Sequence, residues 1–165
     1  MGMAELYVIR HGIADDPAEH GGRDDRRQLT KKGREKVIGV AESLRARGVQ
    51  FDAIYSSPLA RALETAEIIR RECSALPQVT VTGLLKPTAS FDDLIEYLNQ
   101  EDKASSAVVG HEPFLSGFVS YALARSRMPF VRLKKAGVAL LDYEGELRPG
   151  NCELAWLAGP AQLIE

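Results

Sequence analysis

The sequence predicts an α/β fold: a three-layer α/β/α sandwich around a mainly parallel central sheet. Two observations predict it. Short apolar runs of strand length alternate with longer segments whose apolar residues recur at helical spacing. Three of those runs also end in charged, imidazole or hydroxyl residues where the next helix begins, as strands sharing one carboxyl edge would. At 165 residues the chain is the size of one ordinary domain, and no linker, repeat or low-complexity tract divides it. A single domain over residues 1–165 is expected.

The elements follow in order. Residues 6–9 (LYVI) form a first strand, followed by the polar stretch IADDPAEHGGRDDRRQ. Its Pro17, Gly21 and Gly22 mark it as a mobile surface loop. A helix then starts at LTKKG, where Thr30 can cap, Val37, Val40, Ala41 and Leu44 share a face, and Gly48 stops it. A second strand spans residues 53–55. Ser57 is the expected cap of the next helix, with Pro58 at the first helical position, where a missing N–H costs nothing. Leu59, Leu63, Ala66 and Ile69 make its apolar face.

VTVT at 79–82 is a short strand, and Ser90 with Asp93 three residues on opens a helix as in a capping box. SAVVG at 106–110 is a buried strand, and a helix follows with Pro113 near its first turn. The tail reads as two strands around a turn at Glu144–Gly145 or at Pro149–Gly150, an antiparallel addition to the sheet.

Composition narrows the function classes. The chain is 45% hydrophobic and 27% charged, as soluble globular proteins are. A net charge of −2 and a pI near 6.0 give no sign of a nucleic-acid or membrane partner. An anionic substrate would have to be met by local positive charge. Cys73 and Cys152 have neither the spacing nor the companions of a zinc site or a disulfide framework. With no signal-like start and no long apolar run, a cytoplasmic protein is expected. Basic clusters at DDRR, KKGREK and RLKK read as solvated surface.

The chemistry gathers at the strand ends. Arg10, His11 and Gly12 lie just past the first strand. Ser56, Ser57 and Pro58 lie past the second, with Arg61 one turn into the next helix, and Gly110, His111, Glu112 and Pro113 lie past a later one. A shared carboxyl edge makes Arg10, His11, Arg61 and His111 converge. Two guanidinium forks, two imidazoles and helix N-termini suit a phosphoryl group. Histidine can also be the nucleophile that splits one hard step into two.

In order along the chain, RHG, SSPLARALETA and VVGHEP resemble the signature of the histidine phosphatase superfamily. The short length and the LTKKG helix start are most similar to SixA-type phosphohistidine phosphatases. The resemblance implies a phosphoglycerate mutase-like fold, with His11 the nucleophile that becomes phosphohistidine. It implies that Arg10, Arg61 and His111 bind the phosphoryl oxygens alongside it. No metal or organic cofactor is implied, because fixed cations fill that electrostatic role.

One departure stands out. The acid that protonates the leaving oxygen in larger members is expected near Leu84 or Leu85, and Lys86 is there instead. Other candidates for proton donor are Asp15, Asp16 and Glu112, and Lys86 is a candidate for the pocket rim. A site lacking a dedicated carboxylic acid fits a phosphoramidate better than an ester, because imidazole leaves readily while an alkoxide needs a proton. The expected substrate is a phosphorylated protein, such as a histidine phosphotransfer domain, or a small phosphorylated compound. Broad phosphomonoesterase activity and a non-catalytic phosphate- or phosphoprotein-binding module are the alternatives. A metal hydrolase using His11, His111 and Asp15 or Asp16 is disfavoured, since Arg10 and Arg61 would repel a divalent cation.

Overall fold

The computed structural model describes residues 2–164. Six strands form one sheet in the order β3-β2-β4-β1-β5-β6. In chain order they are β1 (Met3–Arg10), β2 (Ala53–Ser56), β3 (Thr80–Val81), β4 (Ser105–Gly110), β5 (Val138–Glu144) and β6 (Glu153–Ala158). The first four run parallel, β5 is antiparallel to β1, and β6 is antiparallel to β5. The sheet is therefore mainly parallel, with the tail added at one edge.

Helices α1 (Lys31–Ala46), α2 (Ala60–Cys73), α3 (Phe91–Glu101), α4 (Phe114–Ala124) and α5 (Pro160–Leu163) cover both faces. The period-2 alternation of β1 divides the core. Leu6 and Val8 join the cluster of α3 and α4 with Leu94, Leu98, Leu115 and Phe118. Tyr7 and Ile9 face the opposite cluster, with Val37, Val40 and Leu44 of α1, Ala62, Ala66 and Ile69 of α2, and Leu163 of α5. Three layers result.

Local chemistry explains most element ends. Thr30 Oγ1 accepts from the Gly33 N–H at 2.9 Å and caps α1, a contact of about 1 kcal/mol. Ser90 Oγ accepts from the Asp93 N–H at 3.3 Å and caps α3. Helix α4 buries nine consecutive residues, Phe114 to Ala122, because it lies inside the fold and has no water-facing side for most of its length.

The surface loop after β1 holds two 3₁₀ turns, Pro17–His20 and Asp24–Arg26, and its ends pair through a bridge between Ala14 and Leu29. One expectation needs correction. Ser57 and Pro58 do not open α2. Leu59 is the N-cap, and Ser57 is diverted to a partner at the strand edge. Ser57 Oγ still accepts from the Leu59 N–H at 3.2 Å, so it fixes the approach to the helix and not its first turn.

Candidate active site

Strand register sets the centre of the site. Arg10 pairs with Gly110 across β1 and β4, and the His11 N–H donates to the Gly110 carbonyl at 3.0 Å. The two residues that follow these pairs, His11 and His111, therefore leave the sheet side by side. Their ring centroids are 5.3 Å apart. On the other flank of β4, Ser56 pairs with Val109 and the Ser57 N–H donates to the Val109 carbonyl at 3.1 Å. This brings Ser57 Oγ to 2.8 Å from His111 Nε2, within a hydrogen bond.

The space behind His11 is closed by glycine. A Cβ on Gly12 would lie 2.7 Å from Val37 Cγ2, and one on Gly33 would lie 2.2 Å from the Ile13 carbonyl oxygen. The glycine of LTKKG thus lets the start of α1 press against the strand end. The Gly12 N–H donates to Thr65 Oγ1 at 3.1 Å, tying that turn to α2.

The tautomer of His11 follows from its partner. Nδ1 lies 2.7 Å from the Gly12 carbonyl oxygen, which can only accept, so Nδ1 carries the proton. In the neutral ring Nε2 then holds the lone pair, and it faces Arg61 Nε at 3.4 Å. Burial pushes the His11 pKa down to about 4, helped by the positive charges of Arg61, Arg10 and Lys135 and opposed by the Gly12 bond. His111 is pushed down to about 3, again by burial first and then by Arg61 and His11. Both imidazoles are neutral at pH 7.

Arg61 sits in the first turn of α2 and is itself buried. Its Nη1 donates to the Asp24 carbonyl at 2.9 Å and its Nη2 to Asp24 Oδ2 at 3.2 Å. Burial works to raise the Asp24 carboxyl. Hydrogen bonds and charge from Arg27 and Arg61 outweigh it and hold the group below its ordinary value, so it is a carboxylate. Arg10, at the tip of β1, donates from Nη1 to the Leu133 carbonyl at 3.0 Å. Arg10 Nε and His111 Nδ1 are buried with no hydrogen-bond partner among the described residues.

The structure thus brings His11, His111 and Arg61 together, with Arg10 near enough for its charge to act on His11. The other candidates are engaged elsewhere. Glu112 accepts from the Ser116 N–H at 2.7 Å and from the Ser116 hydroxyl, at the start of α4. Asp15 pairs with His20 at 3.2 Å, and Asp16 caps the first 3₁₀ turn through the Ala18 N–H. Lys86 is exposed, and Leu85 beside it is fully buried core, so the position expected to hold an acid holds a packing residue. Asp15, Glu19 and His20 are a metal-capable cluster with donor atoms within 4.8 Å; it includes neither site histidine.

Ser57, Asp24 and Thr65 are the site neighbours the sequence did not single out for this place. Ser57 carried a signal, since it directly follows a strand of the same edge. Asp24 carried none, as one acid in a polar stretch that meets Arg61 only through the tertiary fold.

Comparison with known proteins agrees with this geometry. The profile of the histidine phosphatase superfamily (branch 1) matches residues 6–85. An uncharacterized protein of Picosynechococcus sp. is 38% identical over 138 residues, covering 81% of this chain and 82% of its own length. The mitochondrial serine/threonine-protein phosphatase Pgam5 of Drosophila willistoni is 30% identical over 148 residues. That match covers 72% of this chain but only 50% of the relative. In fold, the chain is similar to the protein histidine phosphatase SixA complexed with tungstate. The TM-score is 0.83 at 24% identity, over 96% of this chain and 99% of the other. The chain belongs to branch 1 of the histidine phosphatase superfamily.

Proposed function

We propose that this protein is a phosphohydrolase working through a phosphohistidine intermediate on His11, with phosphohistidine on proteins as its substrate. The observation that carries this reading is the state of His11. It is neutral, its Nδ1 proton is anchored on the Gly12 carbonyl, and its Nε2 lone pair is directed at the guanidinium of Arg61.

Nε2 of His11 attacks phosphorus in line. The bond to the substrate ring nitrogen breaks, and its electron pair returns to that ring, which leaves as neutral imidazole when its other nitrogen is protonated. Arg61, Arg10 and His111 hold the phosphoryl oxygens as charge moves. Water then attacks the phosphoryl group, and the Nε2–P bond breaks back onto His11. Because Nδ1 keeps its proton throughout, His11 also departs as a neutral ring. Asp24 positions Arg61 by holding its two terminal nitrogens.

The proton inventory supports phosphohistidine over esters. Glu112 is committed to Ser116, Asp15 to His20, and Asp24 is an ionised partner of Arg61. An alkoxide would leave without a proton from any of them. A phosphohistidine ring already protonated at its remote nitrogen leaves as neutral imidazole, whose conjugate acid has a pKa of about 6.5, and needs no proton at the breaking bond. The likeness to a serine/threonine-protein phosphatase supports a second reading, in which phosphate esters are turned over as well. Among the described residues no helix is long and apolar enough to cross a membrane, and Cys73 and Cys152 are buried free thiols. A reducing, cytoplasmic setting fits those thiols.

A competition assay tests the substrate. With a phosphorylated histidine phosphotransfer domain and a panel of alkyl phosphates in one reaction, phosphate should come from the protein first, by about a hundredfold or more in kcat/KM. Comparable rates on alkyl phosphates would overturn the preference and establish the ester reading.

A further inference from the structure

Basic side chains also gather beside the reacting centre. A cavity of about 640 Å³ opens at Arg10 and is lined by Lys36 of α1 and by Arg132, Lys134 and Lys135 of the segment before β5. Glu112 is the one acid in its lining, and its carboxylate is already engaged by Ser116. A chain of net charge −2 thus concentrates cations beside its site.

The basic segment is held in place by the strand that carries His11. Leu133 is fully buried as its anchor, and its carbonyl accepts from Arg10. The Ala136 N–H donates to the His11 carbonyl, and the Arg10 N–H donates to the Gly137 carbonyl, both at 3.1 Å. Backbone bonds on both sides of the reacting histidine therefore set the position of Arg132, Lys134 and Lys135, whose side chains stay exposed. Just upstream, Met128 and Phe130 are 77% and 57% exposed.

We propose that this groove docks an acidic stretch of the phosphorylated protein substrate, with carboxylates flanking the phosphorylated residue meeting Lys36, Arg132 and Lys134. The proposal rests on the reading of His11 as the phosphoryl acceptor for protein phosphohistidine. A protein partner fits better than a small polyanion for two reasons. The cations come from separate elements and surround a wide cavity, where a compact ligand would need them convergent. Two exposed apolar side chains continue the same segment, and a protein surface can cover them while a small anion cannot. Pairs of this exposed kind are individually weak, so they select and orient the partner more than they hold it.

Two phosphohistidine peptides, one with glutamates beside the phosphorylated residue and one with glutamines, make the test. The wild-type protein should show a KM about tenfold lower for the glutamate peptide. The combined variant Lys36→Gln, Arg132→Gln, Lys134→Gln should raise that KM to the glutamine-peptide value, leaving kcat and the hydrolysis of para-nitrophenyl phosphate unchanged. Lys135 is kept, because its charge acts on His11. Equal wild-type KM values for the two peptides, or a variant that slows both alike, overturn the proposal. If neither peptide is turned over while para-nitrophenyl phosphate is, the phosphohistidine reading fails and the groove is judged on binding alone. Fluorescence anisotropy with a labelled, unphosphorylated glutamate peptide then decides: wild-type binding lost in the variant supports the groove, and no wild-type binding overturns it.

Discussion

The two histidines of this site and Arg61 are held by different means. His11 and His111 stand at the ends of neighbouring parallel strands, and backbone register alone places their rings 5.3 Å apart. Arg61 lies on a helix, and its outer nitrogens are held by Asp24, whose side chain is 58% exposed in a polar segment of short turns. The sheet thus fixes the reacting pair, and an exposed segment steers the charge that serves it. Errors in the first arrangement should be far more costly than errors in the second.

Short of removing His11 itself, the largest effect is expected from removing the charge that serves it. Arg61→Ala takes away the guanidinium nearest Nε2 and should lower kcat by about 10²–10³, with a smaller change in KM. Steady-state kinetics on a phosphohistidine peptide measures it. A KM effect with kcat intact would show Arg61 to be a ground-state anchor only.

Acid should strike the strand pair before it strikes the segment. An unfolded histidine takes up a proton near pH 6.5, while folded His11 resists until about 4 and His111 until about 3. The unfolded chain therefore binds more protons in that interval, and stability falls as pH drops from about 6.5 through about 4. His11 alone accounts for about 3 kcal/mol of this loss. The carboxyl of Asp24 is shifted down as well, but from a lower ordinary value, so its contribution is lost only at lower pH, as it is protonated below that value. Urea unfolding across this range should show the dependence in the wild type and a flatter curve in His11→Asn. An identical slope in both would place the acid sensitivity elsewhere.

Smaller effects sharpen the contrast. Ser57→Ala strips His111 of its partner and should cost about 1–2 kcal/mol of stability and about tenfold in kcat. Asp24→Ala frees Arg61 without touching the sheet, and should lower kcat less than about fivefold with stability within about 0.5 kcal/mol of wild type. Thermal melts and kinetics on both variants check the order. If Asp24→Ala proved the more damaging, the exposed segment would be the true organiser of the site.

What could be read from the sequence divides along the same line. The strands before His11 and His111, the cap at Thr30 and the cap at Ser90 are local: apolar runs, turn residues and spacing announce them. Strand β1 runs from Met3 to Arg10, past both ends of its apolar centre, because β4 and β5 pair along its whole length, and no local signal reports pairing. Ser57 looked like a helix cap because its sequence neighbours, Pro58 and Leu59, suggest one. His111, 54 residues away, claims its hydroxyl instead. Asp24 lies in a run of charges that reads as solvated; its pair with Arg27 is local, and only a contact spanning 37 residues brings it to the site. Periodicity and capping see neighbours in the chain, and these residues take their meaning from neighbours in space.

The central claim is that Nε2 of His11 accepts the phosphoryl group. Rapid alkaline quench of the protein with a phosphohistidine peptide, followed by intact-mass and fragment analysis, tests it most directly. One phosphoryl group should appear on His11 during turnover, be lost on brief acid treatment, and be absent from His11→Asn, which should also release no phosphate. A label on any other residue, or continued turnover by His11→Asn, would contradict the account.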